Sequence, residues 1–173
     1  MNIFNFLGCK TKSNYKKNKQ YNSIFTKLET LFEDFSQEDL RYIAAFSGLL
    51  GRVAYCDLTI SDEELDRIKK ILTKTTSLSE KKIAAVVTVM KNEIQALIGL
   101  ENHLYTQEIN ELASHEKKME VLAALFLVAA ADKDISSYEN EEIRKTSKAL
   151  GFSHNEFILA RSRFKNYLSV LKS

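Results

Sequence analysis

Proline is absent from all 173 residues, where average usage of about 5% would place roughly eight. Glycine occurs only five times and tryptophan not at all. These absences exclude proline-rich linkers and collagen-like repeats and disfavour a turn-dense all-β fold. Gly8, Gly48, Gly51, Gly99 and Gly151 are spaced so that neither a Gly-x-Gly-x-x-Gly turn nor a Walker-type loop can be built from them. The two cysteines, Cys9 and Cys56, cannot form a disulfide framework, which fits a reducing compartment. The longest strongly apolar run, Val121 to Ala131, has eleven residues, against the ~20 needed to span a bilayer.

What is present describes an ordinary soluble domain. Hydrophobic residues make up 45% of the chain and charged residues 28%, enough apolar content for a packed core and too much for wholesale disorder. The length fits one domain. The expected location is the cytoplasm.

The net charge of +2 conceals an asymmetry. Residues 1–20 hold five lysines (Lys10, Lys12, Lys16, Lys17 and Lys19) and no acid, so the remaining residues, 21–173, carry −3. Ahead of the lysines stands an apolar stretch with Phe4 and Phe6. An apolar wedge followed by cations can hold a protein at an anionic membrane surface, at about 1 kcal/mol per cation. The plainer reading is a solvated, flexible tail. Phe6-Leu7-Gly8-Cys9 resembles a lipoprotein cleavage site only faintly, because no basic residue precedes it and its apolar stretch is too short. The body has no basic helix face interleaved with aromatics, so no nucleic-acid partner is expected.

From residue 20 onward the apolar spacing is helical. Ile24, Leu28, Leu31, Phe32 and Phe35 follow the three-or-four rule. Ser36 can cap a helix with a broad apolar face of Leu40, Ile43, Ala44, Phe46, Leu49, Leu50 and Val53. Ser61 with Glu64, Ser136 with Glu139 and Ser153 with Glu156 have capping-box spacing. Helices begun by Ser79 and Ser114 are apolar nearly all round, over Ile83–Met90 and about His115–Ala131, as expected of the middle of a bundle. Gly151 reads as a helix stop. The expectation is an all-α fold of about seven to eight helices.

An internal repeat is the most informative feature. At an offset of 75 residues, Val53, Ala54, Asp57, Ile60, Ser61, Glu64 and Ile68 fall on Val128, Ala129, Asp132, Ile135, Ser136, Glu139 and Ile143. One residue of slippage then aligns Leu78-Ser79 with Phe152-Ser153. The halves, about 36–98 and 115–170, each read as a buried helix, an Asp, a tight Ile-Ser turn and two capped helices. They predict an internally duplicated bundle with pseudo-twofold symmetry. Segment 99–114 joins them with a helical pattern.

A small-residue helix running into Asp-x-x-Ile-Ser-x-x-Glu, then a second helix and Leu-Gly-Phe-Ser, resembles the tellurite-resistance TerB family, to which the N-terminal domain of the membrane co-chaperone DjlA is related. The resemblance covers about residues 36–165 and includes both motif copies. It departs at Leu58 and Lys133, where the family usually has Gly. Since φ > 0 is costly for these residues, another backbone solution is expected there. The resemblance implies a duplicated helical bundle with a non-catalytic role in bacterial stress or tellurite resistance. It also implies work in concert with other Ter proteins, including the membrane protein TerC, and acidic motif residues that bind metal.

The chemistry of those acids has two readings. Asp57 and Asp132 end predicted apolar helices, where the macrodipole disfavours an anion by about 0.3–1 kcal/mol. Asx-turn bonds to following amides, or a nearby lysine, would offset that. Alternatively, Asp57 with Glu64, and Asp132 and Asp134 with Glu139, supply hard oxygen ligands for weakly bound Ca²⁺, Mg²⁺ or Mn²⁺, or a face for a partner's basic surface. Capping competes, because Glu64 and Glu139 can bond the amides of Ser61 and Ser136. An EF-hand is excluded, since positions six and twelve from Asp132 are Ser137 and Ile143.

Cys56 has no nearby His and repeats as Ala131, so it reads as a small buried hydrophobe. His103, His115 and His154 lack zinc-type spacing. No nucleophile, oxyanion donor or apolar pocket accompanies the carboxylates, so no enzyme activity is expected. The sequence thus yields two functional expectations. One is an interaction module acting through its acidic double motif; the other is a peripheral membrane adaptor at the inner face, localised by residues 1–20.

Overall fold

A computed structural model describes residues 21–97 and 102–169. It consists of α1 (Ser23–Leu31), α2 (Gln37–Ala54), α3 (Asp62–Thr75), α4 (Glu80–Leu97), α5 (Asn102–Leu112), α6 (His115–Ala129), α7 (Ser137–Ala149) and α8 (His154–Ser162), followed by a 3-10 turn at Lys165–Tyr167. Among the described residues there is no strand, only a single bridge pairing Ile135 with Leu168. No described helix is long and apolar enough to cross a membrane. Phe4, Phe6 and the five N-terminal lysines lie outside the described residues.

The serine caps form as their spacing dictates. Ser36, Ser61, Ser114, Ser136 and Ser153 each accept an amide hydrogen bond from the third residue beyond. At Ser61, Ser136 and Ser153 the glutamate reaches back to the serine amide, completing three capping boxes. Helix α7 stops at Gly151, whose φ of 88° is open to glycine without strain. Its N–H donates to the Lys148 carbonyl at 3.0 Å, and that of Phe152 to the Ser147 carbonyl at 3.1 Å, the paired bonds of a Schellman end.

Two expectations need correction. The first helix ends at Leu31, which is 55% exposed, and Phe32 instead closes the helix and is buried. Helix α4 is not apolar all round in place: Ile83, Val86, Val87, Met90 and Ile94 are buried, whereas Ala84 and Thr88 face solvent. Among the described residues it packs mainly against α1, α2 and α3, and one face suffices for that. The central position belongs to α2, which touches α1, α3, α4, α5, α6 and α7. Its buried residues run around the whole helix and include Arg41, Ser47, Gly48 and Gly51. Helix α6 is buried over its second half, from Val121 to Ala129 with Leu127 exposed, while its first turns at His115–Glu120 are not. The all-round burial expected over His115–Ala131 is thus only partly met.

The glycines on α2 let neighbours close in. A Cβ at Gly48 would stand 2.7 Å from the buried ring of Tyr105 on α5, and one at Gly51 would meet Met90 of α4. Arg41 binds across the same α2–α5 contact. Its guanidinium donates to Glu108 at 2.6 Å and to Glu111 at 2.7 Å. Arg41 and Glu108 are both buried.

Candidate functional site

The two Asp-x-x-Ile-Ser-x-x-Glu segments share one set of turn and capping bonds. After α2, the Tyr55 amide donates to Gly51, Cys56 to Val53 and Leu58 to Tyr55. After α6, Ala130 donates to Phe126, Ala131 to Val128 and Lys133 to Ala130, each 75 positions later. The Thr59 amide then bonds Asp57 Oδ1 at 3.0 Å, and the Asp134 amide bonds Asp132 Oδ1 at 2.9 Å. These Asx turns offset the unfavourable helix-end position of each aspartate. The Ser61 and Ser136 amides donate to Glu64 and Glu139 at 2.8 Å in both copies.

Leu58 and Lys133 adopt φ of 72° and 69°, so the expected alternative backbone is not used. The left-handed turn is kept without glycine, held by the bonds on either side. A left-handed L-residue costs about 1–2 kcal/mol, partly offset because glycine is more disordered when unfolded by about 0.5–1 kcal/mol. Leu58 is 62% exposed, so little burial is lost on truncation. Leu58→Gly and Lys133→Gly are therefore expected to stabilise by about 0.5–1 kcal/mol each, read as a higher urea midpoint. A lower midpoint would show that these side chains contribute more than their backbone costs.

Electrostatically the two copies form one site. Glu64 is half-buried, and burial raises its pKa; its bonds to Ser61 oppose this, while Asp57 and Asp132 add to the rise. Glu139 is pushed up to about 7, first by burial, against the Ser136 bonds, and then by Glu64 and Asp132. Each glutamate thus feels carboxylates of the other motif. Asp57 and Asp132 themselves are exposed. Asp134 is exposed too, and its amide contributes the Asx bond to Asp132. Cys56 sits among the acids: burial first, then Glu139, Asp57, Glu142 and Glu64, push its thiol up to about 12. A thiol raised so far carries little thiolate at neutral pH, but the side chain is only partly buried, where the sequence suggested a buried one.

The carboxylates are neighbours, yet among the described residues no three His, Cys, Asp or Glu side chains are arranged to hold a metal ion. One oxygen each of Asp57, Glu64, Asp132 and Glu139 is engaged by its own turn.

Sequence reasoning missed the pair beside this site. Arg52 of α2 reaches Glu142 of α7 at 3.3 Å, and Asn102 of α5 also bonds Glu142. Glu142 lies three residues beyond Glu139, on the same helix face. A charged residue interrupting the apolar face of α2 was the available signal.

The raised value of Glu139 sets a pH dependence. Its folded-state value, about 7, exceeds its ordinary 4.5, so between those limits the native state retains a proton that the unfolded chain has released. The stability this group contributes is full below its unfolded value and is lost as pH rises through its folded value. Glu139→Gln keeps the capping bond and removes the charge. The variant is expected to match the parent's melting temperature near pH 4.5 and exceed it above pH 7. An equal difference at both pH values would remove ionisation of Glu139 as the cause.

These features define an all-helical domain with two like-bonded acidic turns set close enough to influence each other. The family model described as Tellurite resistance protein TerB matches residues 43–162, and the chain belongs to that family. The match takes in both turns. No curated protein and no solved structure matches the chain.

Proposed function

We propose that the chain is a non-catalytic interaction module of a bacterial tellurite-resistance or stress-response system. In this reading its paired acidic turns receive positive charge from a protein partner. Other Ter proteins, a TerC-like membrane protein among them, are the partners that family membership favours. The carrying observation is that Glu64 and Glu139 are each raised by burial and by carboxylates of the other motif. A lysine or arginine set between them would offset that repulsion and favour the ionised form of each. A weakly held Ca²⁺, Mg²⁺ or Mn²⁺ would act in the same way. Basic side chains fit better, because one oxygen each of Asp57, Glu64, Asp132 and Glu139 is already engaged in its turn and, among the described residues, no three such groups are arranged to hold a metal ion. The high thiol pKa of Cys56 and the capping role of the glutamates support a role without catalysis.

Amide NMR of the full chain, titrated separately with a lysine-rich peptide and with Ca²⁺, Mn²⁺ and Zn²⁺, tests this. Peptide shifts centred on 57–64 and 132–139, lost in an Asp57→Asn, Asp132→Asn variant, are the expected result. Metal-induced shifts there without a peptide response would move the assignment to a cation site. Silence from both would overturn the acidic motif. The peripheral-membrane reading of Phe4, Phe6 and the lysines would then be tested by sedimentation with anionic liposomes, before and after removal of residues 1–20.

A further inference from the structure

A cleft of about 270 Å³ lies between the last turn of α7 and the first turn of α8. The Schellman end at Gly151 creates it by turning the chain so that Ser153 can cap α8 beside Lys148. Its lining includes Arg144, Ser147, Lys148 and His154, with Phe152 and Phe157, and no carboxylate. Arg144 is paired with Glu141, which lies outside the lining. Lys148 forms no ion pair among the described residues.

Three independent features favour an anion here. Lys148 and Arg144, the latter shared with Glu141, place positive charge on the α7 wall of the space. The α8 N-terminus adds its dipole: Glu156 and Phe157 amides bond back to Ser153, whose own amide and hydroxyl are taken by the Glu156 carboxylate. This leaves the His154 and Asn155 amides of the first turn, where no intrahelical acceptor exists. The third feature is Ser147. It lines the cleft, is 1% exposed, and its hydroxyl has no hydrogen-bond partner among the described residues. A buried hydroxyl without a partner is destabilising, so its retention in a cationic cleft points to an acceptor supplied by a ligand.

We propose that this cleft binds a small phosphate monoester. The phosphoryl oxygens accept from Lys148, Arg144, the Ser147 hydroxyl and the first-turn amides of α8, and the organic group lies against Phe152 and Phe157. The volume is slightly below the ~300–1,000 Å³ of drug-sized pockets, which favours a compact ester. Nothing in this site overlaps the acidic turns, so it stands or falls independently of them.

Amide NMR of the full chain titrated with phenyl phosphate at constant ionic strength is the test. Saturating shifts centred on Ser147, His154 and Asn155 are expected, with inorganic phosphate binding the same amides about tenfold more weakly because it leaves the rings uncovered. Lys148→Gln should weaken phenyl phosphate about tenfold. Ser147→Ala should fold as stably as the parent, since it deletes an unsatisfied group, and bind several-fold more weakly. Unsaturating shifts, saturation at other amides, or unchanged affinity in Ser147→Ala would overturn the site. Equal affinity for inorganic phosphate would overturn its assignment to an ester.

Discussion

Arg41→Leu is expected to lower the unfolding free energy by about 3–5 kcal/mol, because it leaves a buried carboxylate without its guanidinium. For a domain of this size that corresponds to a fall of about 10 °C in melting temperature. Glu108 is the carboxylate that matters: its side chain is 2% exposed, whereas that of Glu111 is 44% exposed. Glu111→Ala should therefore cost no more than about 1 kcal/mol. Calorimetry of the Arg41→Leu, Glu108→Leu pair completes the argument. With both charges removed together, the double variant should regain most of the loss. A double variant as unstable as the sum of its parts would show that the contact depends on shape and not on charge.

Gly48→Ala should also destabilise, by about 1–3 kcal/mol. The sign is informative, since alanine in mid-helix is otherwise favoured over glycine by about 1 kcal/mol. The new Cβ would be 2.7 to 2.8 Å from three carbons of the Tyr105 ring. That ring is 1% exposed, packed in the core beside α2. In a Tyr105→Leu background the same substitution should become neutral or stabilising, a coupling that a double-mutant cycle measures directly. Stabilisation in the parent background would mean that α5 shifts away from α2 at little cost.

What the sequence made legible was local. A capping box needs only Ser and Glu three residues apart, and all three predicted boxes form. The Gly151 stop and the 75-residue repeat of the acidic turns were equally readable, because their bonds join residues within a few positions. Partners far apart in sequence were not readable. Arg41 lies 67 positions from Glu108, and nothing in the spacing of either names the other. Helix α4 misled for the same reason: its apolar residues run nearly all round, and only the number of neighbours decides how many are covered. Leu58 and Lys133 show the limit of local preference, since neighbouring bonds hold both in a conformation their side chains disfavour. The cleft at Ser147 depends on where α8 lands after its turn, which no helical period records.

The bridge between Ile135 and Leu168 gives the two turns different hydrogen-exchange behaviour. The Ile135 amide donates to the Tyr167 carbonyl at 2.6 Å, and the Ser169 amide returns a bond to Ile135 at 3.1 Å. Among the described residues the amide of Ile60, its counterpart by repeat, makes no such backbone bond, and Ile60 is only partly buried. Deuterium should therefore enter at Ile60 through small motions of the loop, and at Ile135 only when the segment around Leu168 lifts off. Two turns built from the same bonds thus serve as separate clocks, one for the loop and one for the docked C-terminal segment.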